Sequence, residues 1–180
     1  YFGNVNPFGP RSCYDEGKRC SETIIYEYIN KKKLNAKIVR IFNTYGPNMD
    51  IDDGRVVSNF IVQALKGDDL TIYGDGSQTR SLCYVYDLLD GFEKFRELET
   101  DSVGPVNLGN SNEITIKNLA EIIIEQTNSS SGITFKELPE NDPKVRKPNT
   151  DKAKELFSFE TKFNLNEGLR NTISYFQNKI

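Results

Sequence analysis

Histidine and tryptophan are absent from this 180-residue chain, and methionine occurs once. Without histidine, a Ser-His-Asp triad cannot be assembled and zinc loses its commonest nitrogen ligand. The three cysteines, Cys13, Cys20 and Cys83, show no C-x-x-C spacing, so the sequence contains no metal site. No apolar run is long enough to span a bilayer, no signal-peptide pattern is visible, and the mean hydropathy is −0.56. These absences read as a cytosolic-type soluble domain. An excess of either charge is also missing: 23 basic residues face 26 acidic ones, for a net charge of −3. That balance offers no bulk attraction to nucleic acid, so any phosphate must be held by individually placed arginines, of which there are eight. Chemistry is left to tyrosine, lysine, arginine, carboxylates or a bound cofactor.

What is present alternates. At 37% hydrophobic residues, the chain can fill one ordinary core and falls short of two large ones. Residues 1–10 are crowded with Gly, Asn and Pro and read as the tail of a loop, which suggests a fragment whose amino-terminal part lies elsewhere. A helix over about 11–33 leads to a strand over 37–42, and a Gly/Pro/Asp-rich excursion fills 45–54. An amphipathic helix over 56–65 closes on Gly67 as a C-cap. A strand over 70–73 then meets the Gly74-Asp75-Gly76 turn. A strand around 81–83, a helix over 85–97, a strand over 105–108, a helix over 116–126 and a strand over 133–138 follow, and the tail from 150 is helical with a break near 159–164. Strands separated by helices predict an α/β protein with a parallel sheet, whose ligand lies at the carboxyl ends of the strands. Two of those ends carry polar or glycine signals, Asn43-Thr44 after Phe42 and Gly109-Asn110 after Leu108.

Tyr14 and Lys18 stand four residues apart on the first predicted helix, so both side chains leave one face within reach of each other. A lysine ammonium beside a phenol favours the ionised phenol, the form that acts as a base. The pattern by itself is common. Tyr28 with Lys32 and Tyr175 with Lys179 repeat it, and these read as solvated helix faces. Context sets the first pair apart, since it follows the Asn6-Pro7-Phe8-Gly9-Pro10 turn and precedes a strand.

The segments NPFGPRSCYDEGKR, RIFNTYGP, DDGRVVSNFIVQAL, YGDGSQTRS, PVNLGN and NDPKVRKP occur in that order across nearly the whole chain. Together they resemble the carboxy-terminal half or more of an extended short-chain dehydrogenase/reductase, and most closely its UDP-glucuronic acid decarboxylase (UDP-xylose synthase) branch. The Y-x-x-x-K and G-x-x-x-R segments are shared with sugar epimerases and 4,6-dehydratases. The pair Asp15-Glu16 and the late Arg146-Lys147-Pro148 resemble the decarboxylase branch in particular; as side chains, Asp15 and Glu16 read as helix-face charge.

The resemblance implies the carboxy-terminal part of a Rossmann-type doubly wound parallel sheet, from 1–48 and 81–110, plus a smaller α/β substrate-binding domain from 49–80 and 111–180. It implies tightly held NAD and decarboxylation of UDP-glucuronate to UDP-xylose through a 4-keto intermediate. Tyr14 is then the base and Lys18 its partner on the nicotinamide ribose. Thr44 is implied as a cofactor contact, and Arg55 as a contact to the nucleotide or the cofactor. Asn43 and Arg80 are implied to hold the substrate diphosphate, and Arg146 to line the sugar pocket. The family's glycine-rich phosphate loop and its Ser/Thr and Glu active-site residues are expected outside this sequence, so the 180 residues alone are expected to be inactive. A homodimer pairing the helix at 11–33 is implied, in the cytoplasm, or in the Golgi lumen where a membrane anchor precedes this sequence. A nucleotide-sugar 4-epimerase or 4,6-dehydratase remains the alternative enzyme, and a non-catalytic nucleotide-sugar-binding fragment the alternative of another class.

Overall fold

A computed structural model describes residues 7–10, 12–100, 104–138 and 147–180. Helix α1 (Ser12–Lys32) precedes β1 (Val39–Ile41) and the two-residue β2 (Thr44–Tyr45). Helix α2 (Val56–Lys66), β3 (Leu70–Tyr73), β4 (Thr79–Ser81), β5 (Cys83–Tyr84) and α3 (Val85–Glu97) follow. The chain continues through β6 (Val106–Leu108), β7 (Glu113–Thr115), α4 (Ile116–Thr127) and β8 (Ile133–Lys136) to α5 (Asp151–Phe157) and α6 (Leu165–Gln177). Three ladders are parallel, β1 with β6, β2 with β5 and β3 with β8. The fourth, β4 with β7, is antiparallel.

Local sequence explains the helices. Val57, Phe60, Ile61 and Ala64 of α2 are buried at helical spacing, and Gly67 ends the helix at φ 77°, where its lack of a Cβ makes the left-handed conformation cheap. Gly67 N–H donates to Ala64 O and Asp68 N–H to Gln63 O, which satisfies carbonyls the helix leaves open. The Thr115 hydroxyl caps α4 by accepting from Asn118 N–H, and the Asn164 amide oxygen caps α6 by accepting from Glu167 N–H.

Two apolar clusters result. One gathers α2, α4 and α6 around Leu70 and Ile72 of β3, together with Tyr45, Leu82 and Tyr84. Burying each large side chain there contributes roughly 1.5–3 kcal/mol. Tyr45 and Tyr84 press so closely on α6 that a Cβ at Gly168 would overlap the Tyr45 hydroxyl and lie 2.9 Å from Tyr84 Cδ2. The other cluster joins Cys83, Leu88, Phe95, Val106, Leu108, Ala153 and Phe159. Ala153 of α5 and Phe159 thus pack with β6 and α3, although residues 151–160 fall within the stretch that sequence resemblance groups with the substrate-binding part.

Several elements depart from the sequence reading. The strand expected over 37–42 is shorter, because Lys37 is used otherwise: its ammonium donates to the carbonyls of Phe95 (2.5 Å), Arg96 (3.0 Å) and Leu98 (2.6 Å) and lies 5.2 Å from the Phe95 ring centroid. A cation there closes the carboxyl end of α3, where the helix dipole is negative. The strand expected around 81–83 divides into β4 and β5 at Leu82. Strands β2 and β7 are too short to leave any alternation in the sequence, and β7 makes part of the sheet antiparallel where parallel pairing alone was expected.

Helix α1 stands apart, with none of its 21 residues buried. Ile24, Tyr26 and Tyr28 are each more than half exposed.

The Lys37 cap generates a stability prediction. Lys37→Met keeps the apolar stem and removes three charge-assisted hydrogen bonds, which should lower unfolding free energy by about 1.5–3 kcal/mol in urea titration. An unchanged urea midpoint would contradict the capping role.

Candidate active site

Between β1 and β2 the chain changes partner. Phe42 N–H donates to Leu108 O at 3.0 Å, the last bond toward β6, and Cys83 N–H donates to Asn43 O at 2.8 Å, the first bond toward β5. The chain changes ladders there, as at the switch point of an open α/β sheet, where the ligand crevice is expected beyond the carboxyl ends of the strands. The predicted Asn43 and Thr44 both sit there. The Asn43 side-chain amide makes no hydrogen bond among the described residues, whereas the Thr44 hydroxyl donates to Phe42 O at 2.8 Å and keeps its acceptor capacity.

The far side of the same crevice is built from β6 and the chain beyond 146. Pro148 is buried against Gly109, where an added Cβ would come within 3.1 Å of Pro148 Cγ and 2.9 Å of Phe42 Cβ. Asn107 donates from its side chain to Asn149 O at 2.9 Å, and Asn110 donates to Leu82 O at 3.1 Å. Lys147 pairs with Glu113 at 3.1 Å, while the Thr79 hydroxyl donates to the other Glu113 oxygen at 2.8 Å. Those two partners, the Thr79 hydroxyl first, hold the Glu113 carboxyl below its ordinary pKa. Arg146 lies outside the described residues, but its neighbours from Lys147 onward are fixed along these strand ends. Arg80, next to Thr79 on β4, is partly buried and donates to Thr79 O at 2.8 Å.

Tyr14 and Lys18 lie in the first turns of α1, with the Lys18 ammonium 5.5 Å from the centroid of the Tyr14 ring. Tyr14 is 60% exposed. Lys18 has no carboxylate partner among the described residues. Helix α1 is tied to β1 by Glu22, which accepts from Arg40 Nε and Nη2, both at 2.6 Å. The chain leaves α1 at Lys32 and returns along β1 to meet Glu22, so helix and strand run antiparallel. Lys18 is then about 6 Å beyond Glu22 toward the strand's carboxyl end, the direction in which Asn43 lies about 10 Å beyond Arg40. The pair therefore faces the level of the crevice.

A third region was missed by sequence reasoning. A cavity of about 230 Å3 lies between α2 and β3, lined by Val56, Asn59, Gln63, Thr71, Tyr73 and Lys136 among others. Arg55 precedes α2 at its mouth and forms a two-point ion pair with Asp53, whose carboxyl it holds below the ordinary range. On β3, Leu70 N–H and Gly74 N–H bond to β8 through Gly132 O and Lys136 O, so Thr71 and Tyr73 present their peptide groups to the opposite edge. Gln63 accepts from Thr71 N–H at 3.1 Å, and Gln78 donates to Tyr73 O at 2.6 Å. Thr71 C=O and Tyr73 N–H are left without a partner among the described residues. The strand expected over 70–73 and the Gly74-Asp75-Gly76 turn after it are both present, and neither pattern marks which peptide groups stay open.

Cys83 offers no nucleophile, because burial pushes its thiol up to about 12. No group of three or more metal-ligating side chains occurs among the described residues, and none of their helices is long and apolar enough to cross a membrane.

The profile of the NAD dependent epimerase/dehydratase family matches residues 3–109. The chain belongs to that family. Its fold is accordingly α/β, the carboxy-terminal part of the family's Rossmann-type sheet with a smaller α/β unit. The chain is 53% identical over 169 residues, 94% of its length, to UDP-glucuronic acid decarboxylase 5 of Arabidopsis thaliana, of which it covers 49%. It is 47% identical over all 180 residues to UDP-glucuronic acid decarboxylase 1 of Xenopus tropicalis, of which it covers 42%. The chain thus spans about half the length of these relatives. Among solved structures it resembles UDP-glucose 4-epimerase of Thermotoga maritima in complex with UDP-glucose, with TM-score 0.89, 27% identity, and coverage of 99% of this chain and 60% of that one. It also resembles UDP-glucuronic acid 4-epimerase of Bacillus cereus in complex with UDP-glucuronic acid and NAD, with TM-score 0.87, 25% identity, and coverage of 99% and 57%.

The tie between α1 and β1 should depend on pH. Arg40 holds the Glu22 carboxyl below its ordinary value of 4.5. A depressed folded value means the contribution is complete above that ordinary value and is lost as pH falls through the folded one. Both groups are partly exposed, so solvent screening limits the pair to less than about 1 kcal/mol. Hydrogen-exchange protection of α1, corrected for intrinsic rates, should fall between about pH 6 and about pH 3.5 while that of α2 and α4 holds, and Glu22→Gln should leave α1 equally labile at both. Protection of α1 that ignored pH would exclude this tie.

Proposed function

We propose that this chain is the carboxy-terminal part of an NAD-dependent UDP-glucuronic acid decarboxylase, which converts UDP-glucuronate to UDP-xylose and carbon dioxide. The observation that carries the reading is the whole-chain similarity to UDP-glucuronic acid decarboxylases, set on a site whose groups suit that reaction.

The nucleotide end belongs to the cavity between α2 and β3. A uracil ring offers an N3–H donor beside a carbonyl acceptor, and the unpaired Thr71 C=O and Tyr73 N–H are an acceptor beside a donor. Arg80 and the Asn43 amide hold the diphosphate, where a guanidinium matches paired oxygens in bidentate fashion. Arg55 lies close enough to the cavity mouth to serve the nucleotide. Arg146, outside the described residues, is assigned to the sugar by motif resemblance.

The donor set at the carboxyl ends of the strands also fits NAD. Lys18 would hold the nicotinamide ribose hydroxyls, and Thr44 would offer its hydroxyl oxygen. When bound, NAD accepts the hydride from sugar C4 and later gives it back. The chain's own task is proton traffic. Tyr14 as phenolate removes the proton of the C4 hydroxyl, with the Lys18 ammonium placed over its ring. Oxidation at C4 turns the glucuronate into a β-keto acid, so the electrons released with carbon dioxide are received by the C4 carbonyl as an enolate. The enolate takes up a proton from solvent at C5, and Tyr14 then returns its own proton to the C4 oxygen as the hydroxyl is restored. The exposed apolar residues of α1, Ile24, Tyr26 and Tyr28, suit pairing with a second copy, which makes a homodimer the expected assembly.

A protein of the relatives' full length carrying this sequence should release carbon dioxide from UDP-glucuronate. Tyr14→Phe removes the base oxygen and should cut that rate by roughly a hundredfold or more with little change in substrate affinity. Tyr28→Phe, the same change at another Y-x-x-x-K pair, should leave it intact. Equal losses would rule out Tyr14 as the base, and no carbon dioxide from the unaltered protein would rule out decarboxylation.

A further inference from the structure

The proposed nucleotide cavity is flanked by two side-chain amides that hydrogen-bond to β3. Gln63 reaches from α2 to β3, accepting from Thr71 N–H at 3.1 Å through Oε1 and donating to the Thr71 hydroxyl at 3.2 Å through Nε2. These two contacts fix which way the amide points. Gln78 reaches back across the Gly74-Asp75-Gly76 turn and donates to Tyr73 O at 2.6 Å. Along the free edge of β3 the peptide groups run in the order Thr71 N–H, Thr71 C=O, Tyr73 N–H, Tyr73 C=O. The two glutamines occupy the first and the last. The inner acceptor and donor remain, among the described residues, the pair that one residue of a further parallel strand would meet.

We propose that Gln63, supported by Gln78, is a specificity-determining residue that makes this edge selective for an imide base, uracil or thymine, over cytosine. The inference rests on the uridine-nucleotide reading given above and goes beyond it by assigning the selectivity to side chains that need not touch the base. With the ring held by its ribose, uracil places N3–H against Thr71 C=O and a ring carbonyl against Tyr73 N–H. Cytosine in the same position sets the lone pair of N3 against a carbonyl, leaving two acceptors facing each other. Cytosine would fit only by slipping toward Thr71 N–H, where its N3 could accept while its amine donated to Thr71 C=O. Gln63 blocks that register because its Oε1 already holds the N–H. Removing the amide frees the alternative pair, so the loss should fall on discrimination and not on affinity alone.

The test compares UDP with CDP by isothermal calorimetry, without sugar, on a protein of the relatives' full length carrying this sequence. The unaltered protein should bind UDP at least about tenfold more tightly than CDP, and Gln63→Ala, which removes both polar contacts and the bulk standing over Thr71 N–H, should narrow the ratio to within about threefold. Gln63→Glu retains an oxygen for Thr71 N–H and should restore most of the discrimination. A purely structural role would weaken UDP and CDP by the same factor, and that result overturns the proposal. So does equal binding of UDP and CDP by the unaltered protein. No UDP binding at all would instead remove the uridine-nucleotide reading, and this proposal with it.

Discussion

The backbone at Phe42 and Asn43 is the constraint on which the site depends. A strand has two edges, and here one short stretch of chain gives its last hydrogen bond to β6 and its next to β5 within two residues. The change of partner sends the two ladders apart, and the space between their carboxyl ends can be filled by a ligand without breaking either ladder. It also separates the apolar clusters. Tyr45 and Tyr84 of the β2–β5 ladder turn into the cluster of α2, α4 and α6, whereas Cys83 on the same ladder and Leu108 on β6 turn into that of α3 and α5. The bond from Asn110 to Leu82 stitches across the divide. Polar groups at this crossing therefore carry both architecture and candidate chemistry.

Binding and chemistry differ in how firmly they are held. The α2–β3 cavity is built from α2, β3 and β8, which pack on the larger apolar cluster, and two amide side chains set which backbone groups of β3 stay open toward it. The Tyr14–Lys18 pair rides on a helix with no buried residue, tied to the strand beside it through Glu22 and Arg40. A surface ion pair contributes little. Catalytic placement to within fractions of an ångström requires more support than that. A groove of about 1140 Å3 lies between Ile25 of α1, Val39 and Ile41 of β1, and Leu89 and Phe92 of α3.

Much of the fold was legible where a periodic pattern was long enough to read. Helices α2, α3 and α4 fall within a residue or two of their expected limits, because apolar spacing and caps such as Gly67 and Thr115 act locally. Strands β2, β5 and β7, two or three residues each, are defined by distant partners and leave no alternation to detect. Lys37 looked like the start of a strand, yet it serves the carboxyl end of α3, a contact 58 to 61 residues away that no local pattern encodes. For the site, Tyr14, Lys18, Asn43, Thr44, Arg55, Arg80 and Arg146 are candidates that motif resemblance names, Arg146 lying outside the described residues. The α2–β3 cavity is not among them, because its recognition groups are backbone atoms and sequence shows side chains only. Gln63 left no signal either, since its contacts to Thr71 depend on how α2 packs beside β3.

The central claim is that the site serves decarboxylation through transient oxidation at C4, not epimerisation or dehydration of the same sugar. Mass spectrometry of the nucleotide sugar formed from UDP-glucuronate by a protein of the relatives' full length, with NADH absorbance followed in parallel, tests it most directly. A UDP-pentose formed without lasting NADH accumulation is the expected result, since the hydride taken from C4 is returned. A six-carbon product, or preference for UDP-glucose over the glucuronate, would contradict it.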